Sequence, residues 1–161
     1  MTIIPLHQCP EYAPILAYWA YQEWYEDRSL GFDLVLKAYL ERVKDDSLPQ
    51  CFVAVEDSLP VGMVILKLDD LWSRKDLNPW LSSLLVVPRF RNRGIGQELV
   101  RAVMVRAGQL GFDRLYLFLG RKRRGRLERY YTKRGWEVID NAEDNDGYNT
   151  KVLQYRLSQG I

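Results

Sequence analysis

Pro88 to Gln97 reads P-R-F-R-N-R-G-I-G-Q, three arginines and two glycines in ten residues. Those residue types in that order suit an anion. Glycine at 94 and 96 lets the backbone approach a ligand without a Cβ in the way. The first N–H groups of a helix have no acceptor within it, and the helix dipole favours negative charge beside them. Arg91 and Arg93 add formal positive charge. The plainer alternative is a tight packing turn whose arginines are solvated.

The cradle needs a strand to lead in and a helix to lead out. Trp80 to Val87 has the composition of a strand, and Gln97 to Gly111 has uninterrupted helical spacing. Upstream, Thr2 to Leu6 reads as a short strand. Tyr12 to Asp27 and Phe32 to Lys44 repeat apolar residues at helical spacing. Gln50 to Glu56 and Pro60 to Leu68 are β-type runs, joined by an Asp57-Ser58-Leu59 turn. Asp69 to Pro79 is a polar loop. Downstream, Arg114 to Leu119 reads as strand and Arg124 to Arg134 as helix. Gly135 to Ile139 follows as strand, Asn141 to Gly147 as turn and Tyr148 to Leu157 as a closing strand. The order β-α-α-β-β-β-α-β-α-β-β predicts an α/β (α+β) fold. It is a three-layer α/β/α arrangement around a mixed, mostly antiparallel sheet of about seven strands. Residues 1–161 are expected to form one domain.

Composition narrows the function classes. With 161 residues and 47% apolar content the chain can build a substantial core. No apolar run is long enough for a membrane span, and the N-terminus lacks a basic region followed by an apolar block. Cys9 and Cys51 have no metal-ligand spacing and read as reduced thiols, which points to the cytoplasm and to no metal site. His7 is the single histidine, so Ser-His-Asp chemistry has little to work with. Charge is unevenly placed. Arg89 to Arg134 carries 14 Lys/Arg against 3 Asp/Glu, and the rest of the chain carries 9 against 18. One stretch suits an anion and the remainder suits a cation.

Three segments resemble the GCN5-related N-acetyltransferase (GNAT) superfamily. L-L-V-V-P-R-F-R-N-R-G-I-G, Leu84 to Gly96, is similar to that family's strand-plus-loop motif. E-R-Y-Y-T-K-R-G-W, Glu128 to Trp136, is similar to its element of tyrosine, three residues, glycine and an aromatic. D-L-N-P-W-L-S-S-L-L-V-V-P further resembles small bacterial members. The resemblance implies acetyl transfer from acetyl-CoA to an amine. It implies that Leu84, Leu85 and Val86 offer backbone groups to the pantetheine arm. Arg91, Asn92, Arg93, Gly94, Ile95 and Gly96 would wrap the pyrophosphate. Tyr131 would protonate the leaving thiolate. Pantetheine amides need strand-like partners, and a diphosphate needs clustered N–H donors. A phenol suits a thiolate of comparable basicity. Tyr131 has an alternative as a core residue, with Tyr130 competing for the inward position.

The chain also departs from that pattern. Family members often carry a glutamate base at positions that fall here on Trp80 and Leu119. Arg124 stands near where relatives place an asparagine that bonds the pantetheine arm. The carboxylates left as candidate bases are Glu23, Glu26, Asp69 and Asp70, with Asp70 and Glu26 ahead. Ser82 and Ser83 are candidates to hold a relaying water. The run R-K-R-R-G-R, Arg121 to Arg126, reads as a contact to the 3′-phosphate of CoA, as a contact to an acidic partner, or as a solvated loop.

The leading expectation is an acetyl-CoA-dependent N-acetyltransferase acting on a small or cationic amine. Trp19, Trp24 and Trp72 are candidates for an aromatic wall. A protein N-terminal or lysine acceptor is the rival within the enzyme class. A CoA-binding regulatory domain without turnover and a nucleic-acid module are the rivals outside it. The near-neutral total charge argues against nucleic acid. The expected partners are acetyl-CoA and the amine, with a homodimer left open.

Overall fold

Asp57 and Ser58 make a sharp reversal, both in the left-handed region at φ 50° and 62°. That pairing at a two-residue turn matches the twist of a hairpin, and it joins β2 (Gln50–Glu56) to β3 (Leu59–Lys67). The protein is described by a computed structural model covering residues 1–158. Among these residues β1 (Thr2–Pro5) pairs antiparallel with β2, in the register Thr2↔Val55 to Pro5↔Phe52. The remaining strands are β4 (Trp80–Val86), β5 (Arg114–Phe118), β6 (Glu137–Glu143) and β7 (Asn149–Arg156). The helices are α1 (Ala13–Ala20), α2 (Phe32–Glu41), α3 (Ile95–Gln109) and α4 (Arg124–Thr132). The seven strands follow the order β1-β2-β3-β4-β5-β7-β6. The sheet is mostly antiparallel, but β4 and β5 run parallel, registered at Trp80↔Tyr116. A parallel pair needs a crossover, which α3 supplies. The expected mixed α/β architecture and element order are both found.

The chain divides into two compact units. The first holds Met1–Ile65 and Ser83–Val103; the second holds Leu66–Ser82 and the described residues from Met104 on. In the first unit α1 buries Ala13, Leu16, Ala17 and Ala20, one face at i, i+3, i+4, i+7. They pack with Leu6, Cys51, Val53, Met63 and Ile65. In the second unit Leu71, Trp80, Tyr116 and Val152 form a buried cluster, flanked by Leu77, Phe118 and Ala142. The Trp80 indole donates to the Leu77 carbonyl at 2.7 Å, so its one polar atom is satisfied.

Several expected boundaries move, among them α2, which ends at Glu41 and not Lys44, and α3, which runs Ile95–Gln109. Regular helix ends at Ala20, where the expected helix ran to Asp27, and Tyr21–Tyr25 winds as a π-helix in which the Glu26 N–H donates to the Tyr21 carbonyl at 2.8 Å. Tyr21, Trp24 and Tyr25 keep an i, i+3, i+4 spacing, so the widening leaves no mark on the sequence. The expected turn from Asn141 to Gly147 begins only at Asp144. Asn141, Ala142 and Glu143 continue β6, registered on Lys151, Thr150 and Asn149 of β7. An edge strand tolerates this polar composition because one of its sides faces no other strand.

Candidate functional site

The basic turn is a set of short reversals between β4 and α3. The Phe90 N–H donates to the Val87 carbonyl at 2.8 Å, and the Arg91 N–H to the Pro88 carbonyl at 3.2 Å. Arg91 Nε donates to the Val86 carbonyl at 2.9 Å, so its guanidinium braces the turn as well as charging it. Asn92 and Gly94 take positive φ, 61° and 81°. The bond from the Glu98 N–H to the Gly94 carbonyl, 3.2 Å, is the first of helical type. The Ile95 and Gly96 amides therefore precede the helical ladder. The Ile95 and Leu99 side chains are buried and anchor α3, while Asn92, Arg93 and Gly94 are exposed. A Cβ on Gly94 would meet nothing within 4 Å. Open space beside left-handed backbone and leading helix amides is what an anionic ligand requires. Arg93 lies 2.7 Å from Glu56 with its side chain half exposed, a pair weak enough to yield to a phosphate.

Leu84, Leu85 and Val86 are half-buried along β4. Just before them Ser83 sits at φ 54°, inside a strand and without a glycine's freedom. Such a residue costs of order 1 kcal/mol and persists only where the surrounding structure holds it. The paired serines in an otherwise apolar strand were the only sequence signal for it. Gly62 on β3 makes a further close approach. A Cβ there would stand 2.9 Å from the Leu85 carbonyl oxygen and 3.0 Å from Leu99 Cδ1.

In the second unit Asp70 sits just past β3 with its side chain only 11% exposed, and Lys67 Nζ approaches it to 2.6 Å. Burial pushes the Asp70 carboxyl above the usual range, opposed by Lys67 and by a hydrogen bond from Ser82, and reinforced by Asp69. A carboxylate whose pKa is raised by burial takes up a proton more readily than an exposed one. Its neighbour Asp69 is exposed. In the first unit Glu26, the other leading candidate, is exposed on the turn after the π-helix. The two glutamate positions of the resembled family are apolar core here: Trp80 is 0% and Leu119 1% exposed.

Tyr131 is the inward member of its pair, 6% exposed, with ring contacts to Tyr130 at 5.2 Å and Trp136 at 5.6 Å. Tyr130 is half-buried beneath the Arg134 guanidinium. Burial pushes the Tyr131 phenol well above its ordinary value, so it keeps its proton. The end of α4 explains the spacing of this element. Gly135 at φ 91° donates to the Thr132 carbonyl at 3.3 Å, and the Trp136 N–H to the Tyr131 carbonyl at 3.2 Å. That is a Schellman cap, which fixes a glycine four residues after Tyr131 and brings the next side chain back against it.

Arg124 begins α4. Its Nη1 donates to the Asn149 carbonyl, and its Nε and Nη2 are buried with no hydrogen-bond partner among the described residues. Arg121 lies 3.2 Å from Asp146 and 4.4 Å over the Tyr148 ring, which ties it to the β6–β7 turn. Of the three tryptophans that were candidates for a wall or for packing, Trp19 and Trp24 pack against the first unit's core, and Trp72 is 66% exposed. Among the described residues no three His, Cys, Asp or Glu side chains gather as a metal site, and no helix is long and apolar enough to cross a membrane.

The sequence pattern of the acetyltransferase (GNAT) family matches residues 9–136. No curated protein matches the sequence. Among solved structures, an aminoglycoside 6′-N-acetyltransferase complexed with coenzyme A superposes with a TM-score of 0.76 at 15% identity, covering 100% of this chain and 99% of that one. A GNAT-family acetyltransferase of Staphylococcus aureus gives 0.68 at 18%, covering 98% and 99%. Ard1 of Thermoplasma volcanium gives 0.68 at 17%, covering 98% and 97%. At these identities the likeness is one of fold.

Proposed function

The chain belongs to the GNAT acetyltransferase family, and from that membership we propose that it transfers acetyl from acetyl-CoA to a primary amine of a small, cationic acceptor. The observation that carries the reading is the turn at Asn92 to Gly96. Its left-handed residues, open space beside Gly94 and leading α3 amides fit a pyrophosphate. Arg91, Asn92, Arg93, Gly94, Ile95 and Gly96 would hold it there. Leu84, Leu85 and Val86 would give their backbone groups to the pantetheine amides. Arg124 would add Nε and Nη2, buried donors that want an acceptor.

Acetyl-CoA supplies the activated thioester. The protein's own task is to manage two protons while a C–N bond forms and a C–S bond breaks. Asp70 takes the proton from the amine, because burial raises the affinity of its carboxylate for a proton. Exposed Glu26 lacks that surrounding. Burial keeps Tyr131 protonated until the sulfur departs and makes the phenolate left by donation short-lived, so the proton given to sulfur is replaced by the one Asp70 has taken, passed through solvent. The preference for a cation rests on the acidic excess outside the basic stretch, 18 Asp/Glu against 9 Lys/Arg. One structural relative is an aminoglycoside 6′-N-acetyltransferase, and aminoglycosides are polyamines that carry positive charge at neutral pH.

The test is thiol release from acetyl-CoA with polyamines, aminoglycosides, a neutral amine and peptide N-termini. Small polycations should give the highest kcat/KM, weakening as salt rises. Release with peptides alone would move the acceptor to proteins. Binding of acetyl-CoA without release to any amine would make the chain a CoA-binding domain.

A further inference from the structure

We propose that Asn145 is a positioning residue for the Asp70 carboxylate, holding it from the β6–β7 turn by clamping the backbone of Asp70 to Trp72. The inference rests on the reading of Asp70 as the proton acceptor. Asp70 lies in a loop, outside any ladder that would hold its backbone. Asn145, 75 residues further on, supplies one rung. Its Nδ2 donates to the Asp70 carbonyl at 2.9 Å, and its Oδ1 accepts from the Trp72 N–H at 2.9 Å. A C=O and an N–H two residues apart are the pair that a facing strand residue would satisfy. Here one side-chain amide satisfies both. Leu71, between them, is 0% exposed and packs in the core, which fixes the middle of the segment.

The clamp is itself held. Asp144 Oδ1 accepts from the Asp146 and Tyr148 N–H groups, each at 2.9 Å, so Asn145 stands in an Asx-type turn. Two further links join the same loop and hairpin: Ser73 Oγ donates to the Glu143 carbonyl at 2.8 Å, and Arg74 Nη1 meets Asp140 at 2.6 Å. Asn145 alone among these touches the backbone of Asp70. Asparagine suits the position because it must donate with one end and accept with the other. Aspartate would accept from Trp72 but could not donate to Asp70, and it would add a negative charge to a carboxylate already faced by Lys67, the Ser82 hydroxyl and Asp69.

The experiment is a carbon-13 NMR titration of the aspartate carboxyls in wild type, Asn145→Ala and Asn145→Asp, with Asp70→Asn assigning the signal. Rates with acetyl-CoA and a reactive amine accompany it. Wild-type Asp70 should titrate above the ordinary carboxylate range. In Asn145→Ala the loop loosens, water reaches the carboxyl and the midpoint should fall. In Asn145→Asp, nearly isosteric and the safer variant to fold, it should rise. In both, kcat should drop roughly 10- to 100-fold while the KM for acetyl-CoA holds within about twofold. An Asp70 midpoint unchanged in both folded variants overturns the clamp. Shifted midpoints together with a fully active Asp70→Asn sustain the clamp and remove Asp70 as the base.

Discussion

The Nζ of Lys67 lies 2.6 Å from the Asp70 carboxylate, with their side chains 25% and 11% exposed. Lys67 closes β3 and Asp70 follows three residues later, so strand and loop meet in a largely buried ion pair. The lysine tempers what burial does. Desolvation raises the carboxyl pKa, and the neighbouring ammonium pulls it back. Lys67→Met should therefore raise the Asp70 pKa further. A base works when ionised, so the acidic limb of the kcat/KM profile should move to higher pH, with the plateau at alkaline pH largely kept. A limb that stays in place with Lys67→Met would detach Asp70 from that titration. Asp70→Asn should lower kcat by roughly 10²- to 10⁴-fold.

Gly94→Glu should abolish acetyl-CoA binding, measured by calorimetry or by the thermal shift the ligand produces. The glutamate would bring a Cβ at a left-handed residue and a negative charge into the turn. Gly94→Ala separates the two effects. Open space surrounds its Cβ, so the loss should come from backbone strain of about 1 kcal/mol and from crowding of the ligand. Unchanged affinity in Gly94→Glu would empty the cradle assignment.

Tyr131→Phe should leave the ring packing against Tyr130 and Trp136 intact and remove one hydroxyl. Turnover should fall about 10- to 100-fold with little change in the dissociation constant of acetyl-CoA. Because burial raises the phenol pKa, the wild-type rate should show no alkaline loss near the ordinary tyrosine value. An equal rate in the phenylalanine variant would make Tyr131 a packing residue only.

Gly62→Ala tests the support behind β4. Its new methyl would press on the Leu85 carbonyl at 2.9 Å and on Leu99 at 3.0 Å. Overpacking of this kind costs about 1–3 kcal/mol. Thermal unfolding should report that loss, and acetyl-CoA affinity should fall with it, since Leu85 belongs to the strand proposed for the pantetheine arm. Destabilisation with full affinity would confine Gly62 to folding.

Much of the protein is local in origin and therefore legible from the chain. Strand β2 covers the β-type run read from the chain, Gln50 to Glu56, whose five central residues are apolar. The turn before α3 is written in its glycine and its asparagine, because left-handed backbone admits few other residues. The spacing from Tyr131 to Gly135 and Trp136 is the arithmetic of one helix cap. Other features depend on residues distant in sequence. The bond between Asn145 and the backbone of Asp70 spans 75 positions, and no local pattern announces it. Ser83 takes its left-handed φ in mid-strand, where local propensity opposes it. Four carboxylates stood as candidate bases in the sequence. What set Asp70 apart was its burial, and burial is a property of everything packed around a residue. The sequence by itself determined the family, the element order and the glycine-bearing turn before α3, because periodicity and backbone chirality act over a few residues. The tertiary structure alone decided which carboxylate is held, dehydrated and faced by a lysine, because desolvation and long-range hydrogen bonds exist only once distant segments meet.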